Sequence, residues 1–166
     1  MKKALVLFVF LISTCCFAQK IKLKDGVVTV DAIAWLKYSD CGAFDRTCSL
    51  LNNDNEELIF LKWIDVPGVE PVTASNKDGS LNYVVVKFLG YNQSFEVQKT
   101  QKGIIELLYN AKVINEAGVL DEEKAQRLVE KYGAEFSART GAPTNTNTII
   151  IKEEPRRSGI NINLGR

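Results

Sequence analysis

Thr100-Gln101-Lys102-Gly103-Ile104-Ile105-Glu106-Leu107-Leu108-Tyr109-Asn110-Ala111-Lys112-Val113-Ile114 is the stretch in which the hydrophobic period of this chain changes. Ile104, Ile105, Leu107, Leu108, Ala111 and Ile114 fall at helical spacings, and Thr100 stands where a hydroxyl would cap the first turn. Gly118 punctuates the connection that follows, and Asp121 can cap a second helix. The apolar stripe of that helix is Ala125, Leu128, Val129, Tyr132 and Phe136, with Glu122 and Glu123 in its first turn, where carboxylates favour the helix dipole. Gly133 either ends this helix or weakens it.

Upstream of Thr100 the pattern is that of strands. Ile21-Lys22-Leu23-Lys24 and Val27-Val28-Thr29-Val30 flank Asp25-Gly26, a strong hairpin signal. Ile21 and Leu23 alternate with Lys20, Lys22 and Lys24, as expected of an edge strand with one wet face. Residues 33–38 and 47–51 read as further strands, separated by the Cys41 to Cys48 loop, and Asn52-Asn53-Asp54-Asn55 reads as a turn. Residues 58–64 are apolar at both parities except for Lys62, which suggests an interior strand covered on both faces. Pro67-Gly68 and Pro71 break it, and residues 74–79 are polar enough for a surface loop. Residues 83–89 form a second central strand against which 94–98 can pair across the turn at Gly90-Tyr91-Asn92. Strands first and helices afterwards imply an α+β fold: an antiparallel sheet of roughly five to seven strands, two helices packed on one face, and a flexible C-terminal arm.

The ends of the chain differ in composition from this middle. Lys2 and Lys3, the apolar run from Ala4 to Ile12 and the small-residue exit Cys16-Phe17-Ala18 have the order of a secretory signal peptide. The run is shorter than the roughly 20 residues that a spanning helix needs. We therefore expect residues 1–18 to be a signal peptide, 19–141 a single domain, and 142–166 a polar linker and tail. Within the tail, Ile149-Ile150-Ile151 and the alternating Ile160-Asn161-Ile162-Asn163-Leu164 are β-prone runs that could add a strand to this domain or to a neighbour. Leu11-Ile12-Ser13-Thr14-Cys15 loosely resembles a lipobox, which implies a second destination: an outer-membrane lipoprotein anchored at Cys15 or Cys16. Release into the periplasm or the medium, without a transmembrane span in the mature chain, is the reading adopted.

Export makes the remaining pair of cysteines, Cys41 and Cys48, a candidate disulfide, because six intervening residues suffice to turn the chain back on itself. A redox pair would more typically be Cys-x-x-Cys at a helix start. The chain has 21 basic and 20 acidic residues, and without Lys2 and Lys3 the balance is 19 against 20. No basic stripe is visible, so nucleic acid is not an expected partner.

The chain holds no histidine, which removes Ser-His-Asp and Cys-His machinery and imidazole zinc sites. No phosphate-cradling glycine loop or dinucleotide fingerprint occurs, so no cofactor and no metal is expected. Asp54, Glu56 and Glu57 cluster at a turn but lack the glycine and distal glutamate of a calcium loop. No catalytic residue can be named. Trp35, Trp63, Tyr83 and Tyr91 are the candidate ligand contacts, as aromatics that a secreted sheet could present to a sugar or a peptide. The sequence thus points to a non-catalytic envelope protein with a protein or glycan partner, the alternative being a carboxylate-based hydrolase acting on polysaccharide.

Overall fold

A computed structural model describes residues 19–141. The signal peptide expected at 1–18, the lipid anchor at Cys15 or Cys16, and the linker and β-prone runs of 142–166 lie outside the described residues.

Seven strands follow one another in a meander, each antiparallel to the next: β1 (Ile21–Lys24), β2 (Val27–Val30), β3 (Ile33–Ser39), β4 (Thr47–Leu51), β5 (Glu57–Val66), β6 (Leu81–Phe88) and β7 (Gln93–Val97). Three helical segments complete the domain: α1 (Gln101–Asn110), α2 (Glu122–Tyr132) and α3 (Glu135–Thr140). The order of strands in the sheet is their order in the chain, because each connection is a hairpin. The first turn has φ of 52° at Asp25 and 78° at Gly26. Positive φ at both central residues twists the turn to match the strands, which is why Asp-Gly is favoured there.

Register decides which side chains share a face. Leu61, Val86 and Phe95 lie in one cross-strand row, as do Ile59 and Phe88, and Trp63, Val84 and Val97. With Val28, Val30, Leu36, Cys48 and Leu50 from the first strands they form the main core, closed by Ile104, Ile105 and Leu108 of α1 and Ala125 and Leu128 of α2. The helices form where the sequence indicates. The Thr100 hydroxyl accepts the Gly103 N–H at 3.2 Å, and the Asp121 carboxylate accepts the Lys124 N–H at 3.1 Å, each satisfying a donor left open in a first turn.

Two bulges interrupt the alternation. Val28 pairs with Leu36 and Thr29 with Ala34, so Trp35 is an extra residue on β3. On β5, Leu58 is extra between the pairs Leu50–Ile59 and Leu51–Glu57. A bulge turns neighbouring side chains towards one side, and both Leu58 and Ile59 are buried. The bulge accounts for Leu58 being buried beside Ile59, whereas Phe60 and Ile64 keep the regular alternation on the second face. That face is only partly covered: Phe60 and Ile64 are half-buried and Lys62 is exposed.

The expected second helix divides. It ends at Tyr132, where Gly133 adopts φ 57° and ψ −149°, a backbone conformation open to glycine alone. Phe136 therefore leaves the stripe of α2 and sits on α3. Tyr132 of α2 stacks on Phe95 at 5.4 Å on the core face, whereas Phe136 stacks on Tyr83 at 5.6 Å. Tyr83 alternates with Val84 and so belongs to the opposite face. The chain thus passes around the edge strand β7, and α3 covers Tyr83 on the second face. No helix among the described residues is long and apolar enough to cross a membrane.

Candidate functional site

The loop between β3 and β4 is closed by a covalent bond. Cys41 and Cys48 are joined with their sulfurs at 1.97 Å and their Cα atoms at 4.4 Å. Cys48 has no exposed surface and belongs to the main core, against which Cys41 packs. Inside the ring, Asp45 turns the chain: its carboxylate accepts the Gly42 N–H at 2.7 Å and its own N–H donates to the Gly42 carbonyl at 3.2 Å. A Cβ on residue 42 would stand 2.7 Å from that carboxylate oxygen, so a side chain there would displace the Asp45 carboxylate from the Gly42 N–H. Outside the ring, the Trp63 N–H donates to the Arg46 carbonyl at 2.9 Å, and the Gln101 amide of α1 donates to the Cys41 carbonyl at 3.3 Å. The loop is held by a covalent bond, its own turn, β5 and α1. At its tip Phe44 is 99 % exposed.

The four candidate aromatics do not meet. Trp35 packs edge-on against Tyr109 of α1, with centroids 5.2 Å apart. Trp63 is half-buried against the core from β5. Tyr83 lies beneath Phe136, and the Tyr91 hydroxyl donates to the Leu120 carbonyl at 3.4 Å. Each has a packing partner within the domain. Burial pushes the Tyr83 phenol above its ordinary value of 10.0, and the charge of Glu96 adds to the rise.

An open concavity of about 410 Å³ lies at the β5–β6 connection, lined by Glu70, Thr73, Asn76, Ser80, Asn82 and Gln98 among others. Much of its polar lining is already engaged. The Asn76 amide donates to the Ser80 carbonyl and its oxygen accepts the Ser80 N–H, while the Gln98 amide donates to the Asn82 carbonyl. Glu70, the carboxylate of this lining, is bound by Arg139 of α3 at 2.5 Å. A hydrolytic pair of acids is not assembled here.

The acidic turn at 54–57 is organised by Asn52, whose side-chain oxygen accepts the N–H groups of Asp54 and Glu56 and whose amide donates to the Glu56 carboxylate. Among the described residues no group of three or more His, Cys, Asp or Glu is arranged to hold a metal ion. At the start of α2 the Lys124 side chain, helped by its backbone N–H, holds the Asp121 carboxyl below its ordinary value.

Glu96 does work that its position in a strand does not announce. It is almost wholly buried, and its carboxylate accepts the Phe136 N–H at 2.9 Å and the Ser137 N–H at 2.8 Å. Phe44 also escaped the sequence reading. Its one signal was a large aromatic isolated among small and charged residues between two cysteines. Compared with protein-family models, with curated proteins and with solved structures, the chain matches none of them.

Proposed function

We propose that this chain is an exported, non-catalytic domain of the cell envelope that binds another protein, with Phe44 as the anchor of the contact. The observation that carries this reading is the full exposure of Phe44 on a loop closed by the Cys41–Cys48 disulfide. Burying a phenylalanine side chain is worth roughly 1.5–3 kcal/mol, and here none of that is gained within the domain. The Asp45 turn and the disulfide order the loop beforehand, so a partner would not supply the ordering cost. Aromatic anchors of this kind concentrate binding energy in protein interfaces. A disulfide is compatible with an oxidising compartment, in keeping with the leader at residues 1–18.

A photoreactive phenylalanine analogue at position 44, introduced in the native cell, tests this reading. It should give one discrete cross-linked protein, and Phe44→Ala should weaken binding of that protein about 30-fold, the equivalent of roughly 2 kcal/mol. Absence of a discrete cross-link, or equal binding by Phe44→Ala, would overturn it. The hydrolase alternative would replace it if the purified protein turned over a panel of polysaccharides.

A further inference from the structure

The described residues carry 15 basic and 18 acidic side chains, yet they are not evenly spread. Alternation from the observed register places Lys22, Lys24, Lys37, Lys62 and Lys87 on the second face of the sheet, away from α1 and α2. The acids on the strands of that face are Glu57, at the margin, and Glu96, which is occupied by α3. Lys24 lies 3.7 Å from Asp25 of the turn. Lys37 is held by uncharged acceptors of the 52–57 turn, the Asn53 carbonyl at 2.8 Å and the Asn55 side chain at 2.9 Å, without a direct ion pair. Lys22, Lys62 and Lys87 have no ion-pair partner among the described residues. Within a domain of net negative charge, the strands of this face thus carry five lysines against two acids.

The centre of that face is also shaped. Phe60 pairs with Lys87, and Lys62 follows two residues along β5 on the same side. The row through Phe60 runs Ser39, Ser49, Phe60, Lys87, Ser94 across five strands, which at roughly 4.8 Å per strand spans about 19 Å. Phe60 is half-buried within this row, so it offers a ring at the level of the sheet and not a side chain that would insert into a bilayer. Ser39 and Ser94 supply hydroxyls on either side.

We infer that this open face binds an acidic polysaccharide, with carboxylates of the polymer on Lys37, Lys62 and Lys87 and a sugar ring on Phe60. The inference does not depend on the Phe44 loop, because the two surfaces share no residue.

Titration of residues 19–166 with polygalacturonate, with neutral dextran and with vesicles of anionic phosphatidylglycerol tests it. Polygalacturonate should bind, and binding should fade as salt rises from about 0.02 to about 0.3 M, where screening shortens from roughly 21 to 6 Å. Lys62→Glu with Lys87→Glu should weaken binding about tenfold or more, and Lys62→Gln with Lys87→Gln should weaken it less. Lys102→Glu with Lys112→Glu, away from that face, should leave it unchanged. No binding of polygalacturonate, wild-type binding by both Lys62/Lys87 double variants, equal binding of dextran, or tighter binding of the vesicles would each overturn the proposal.

Discussion

Substituting Glu96 isolates the contact that folds α3 around the sheet edge. The carboxylate accepts two backbone N–H groups, from Phe136 and Ser137, at 2.9 and 2.8 Å, and the residue is 7 % exposed. Hydrogen bonds to a charged acceptor contribute roughly 1.5–3 kcal/mol, and the two here share one acceptor and are not additive. Glu96→Ala leaves both donors at the start of α3 without their partner and opens a space beneath the segment. We expect a loss of about 2–4 kcal/mol, which at roughly 4 °C per kcal/mol for a domain of this size lowers Tm by about 8–16 °C. Glu96→Gln keeps an accepting oxygen but removes the charge, and should cost about 1 kcal/mol. Thermal unfolding gives the global number. Amide hydrogen exchange gives the local one: the Phe136 and Ser137 amides should lose protection in Glu96→Ala ahead of those in β5 and β6. The reasoning is refuted if Glu96→Ala melts within about 0.5 kcal/mol of the wild type and the two amides exchange at the wild-type rate.

Three further outcomes follow from the same structure. Reducing the Cys41–Cys48 disulfide opens a ring of eight residues, for which the chain-entropy model gives about 2.5 kcal/mol; urea unfolding with and without reductant should differ by that amount, and mass analysis should show a gain of two hydrogens on reduction. The raised Tyr83 pKa means the folded state holds this proton more tightly than the unfolded state. Its stabilising effect is complete below pH 10 and is lost as pH rises through the folded value, so Tyr83→Phe should flatten the decline in stability on the alkaline side; an identical decline in both proteins would refute the assignment. Ala32 sits at φ 68° in the β2–β3 turn, where a Cβ is unfavourable by roughly 1–2 kcal/mol. Ala32→Gly should therefore raise Tm by a few degrees, after about 0.5–1 kcal/mol is offset by the added freedom of the unfolded chain; a lower Tm would contradict it.

Much of the fold was legible because local rules and the final structure agree. The Asp25-Gly26 turn, the caps at Thr100 and Asp121 and the change of period at Thr100 act over a few residues, and each reappears in place. Where strand limits moved, they moved by one or two residues, the larger shifts arising where pairing between β5 and β6 extends both beyond their apolar centres. The two bulges were not legible. Leu58 and Trp35 became extra residues through the register of β4 and β2, which no single strand encodes. The site was less legible still. The candidate aromatics were chosen for their residue type, but Trp35, Tyr83 and Tyr91 each found a partner from a distant segment, and Trp63 packs half-buried against the core. Phe44 found none, and exposure is a property of the folded surface.

The sequence by itself determined the class of fold, the order of its elements and the pair of cysteines close enough to bridge. These depend on residue spacing, on turn chemistry and on short loops. Tertiary structure alone decided that the lysines of β1, β3, β5 and β6 share one face, because register sets which side each strand shows. It alone decided that Glu96 would anchor α3 on that face, from 40 residues away. Gly133 permits the turn around β7, and contacts from distant residues hold the chain there: the Glu96 carboxylate on the Phe136 and Ser137 N–H groups, Tyr83 against Phe136, and Glu70 with Arg139.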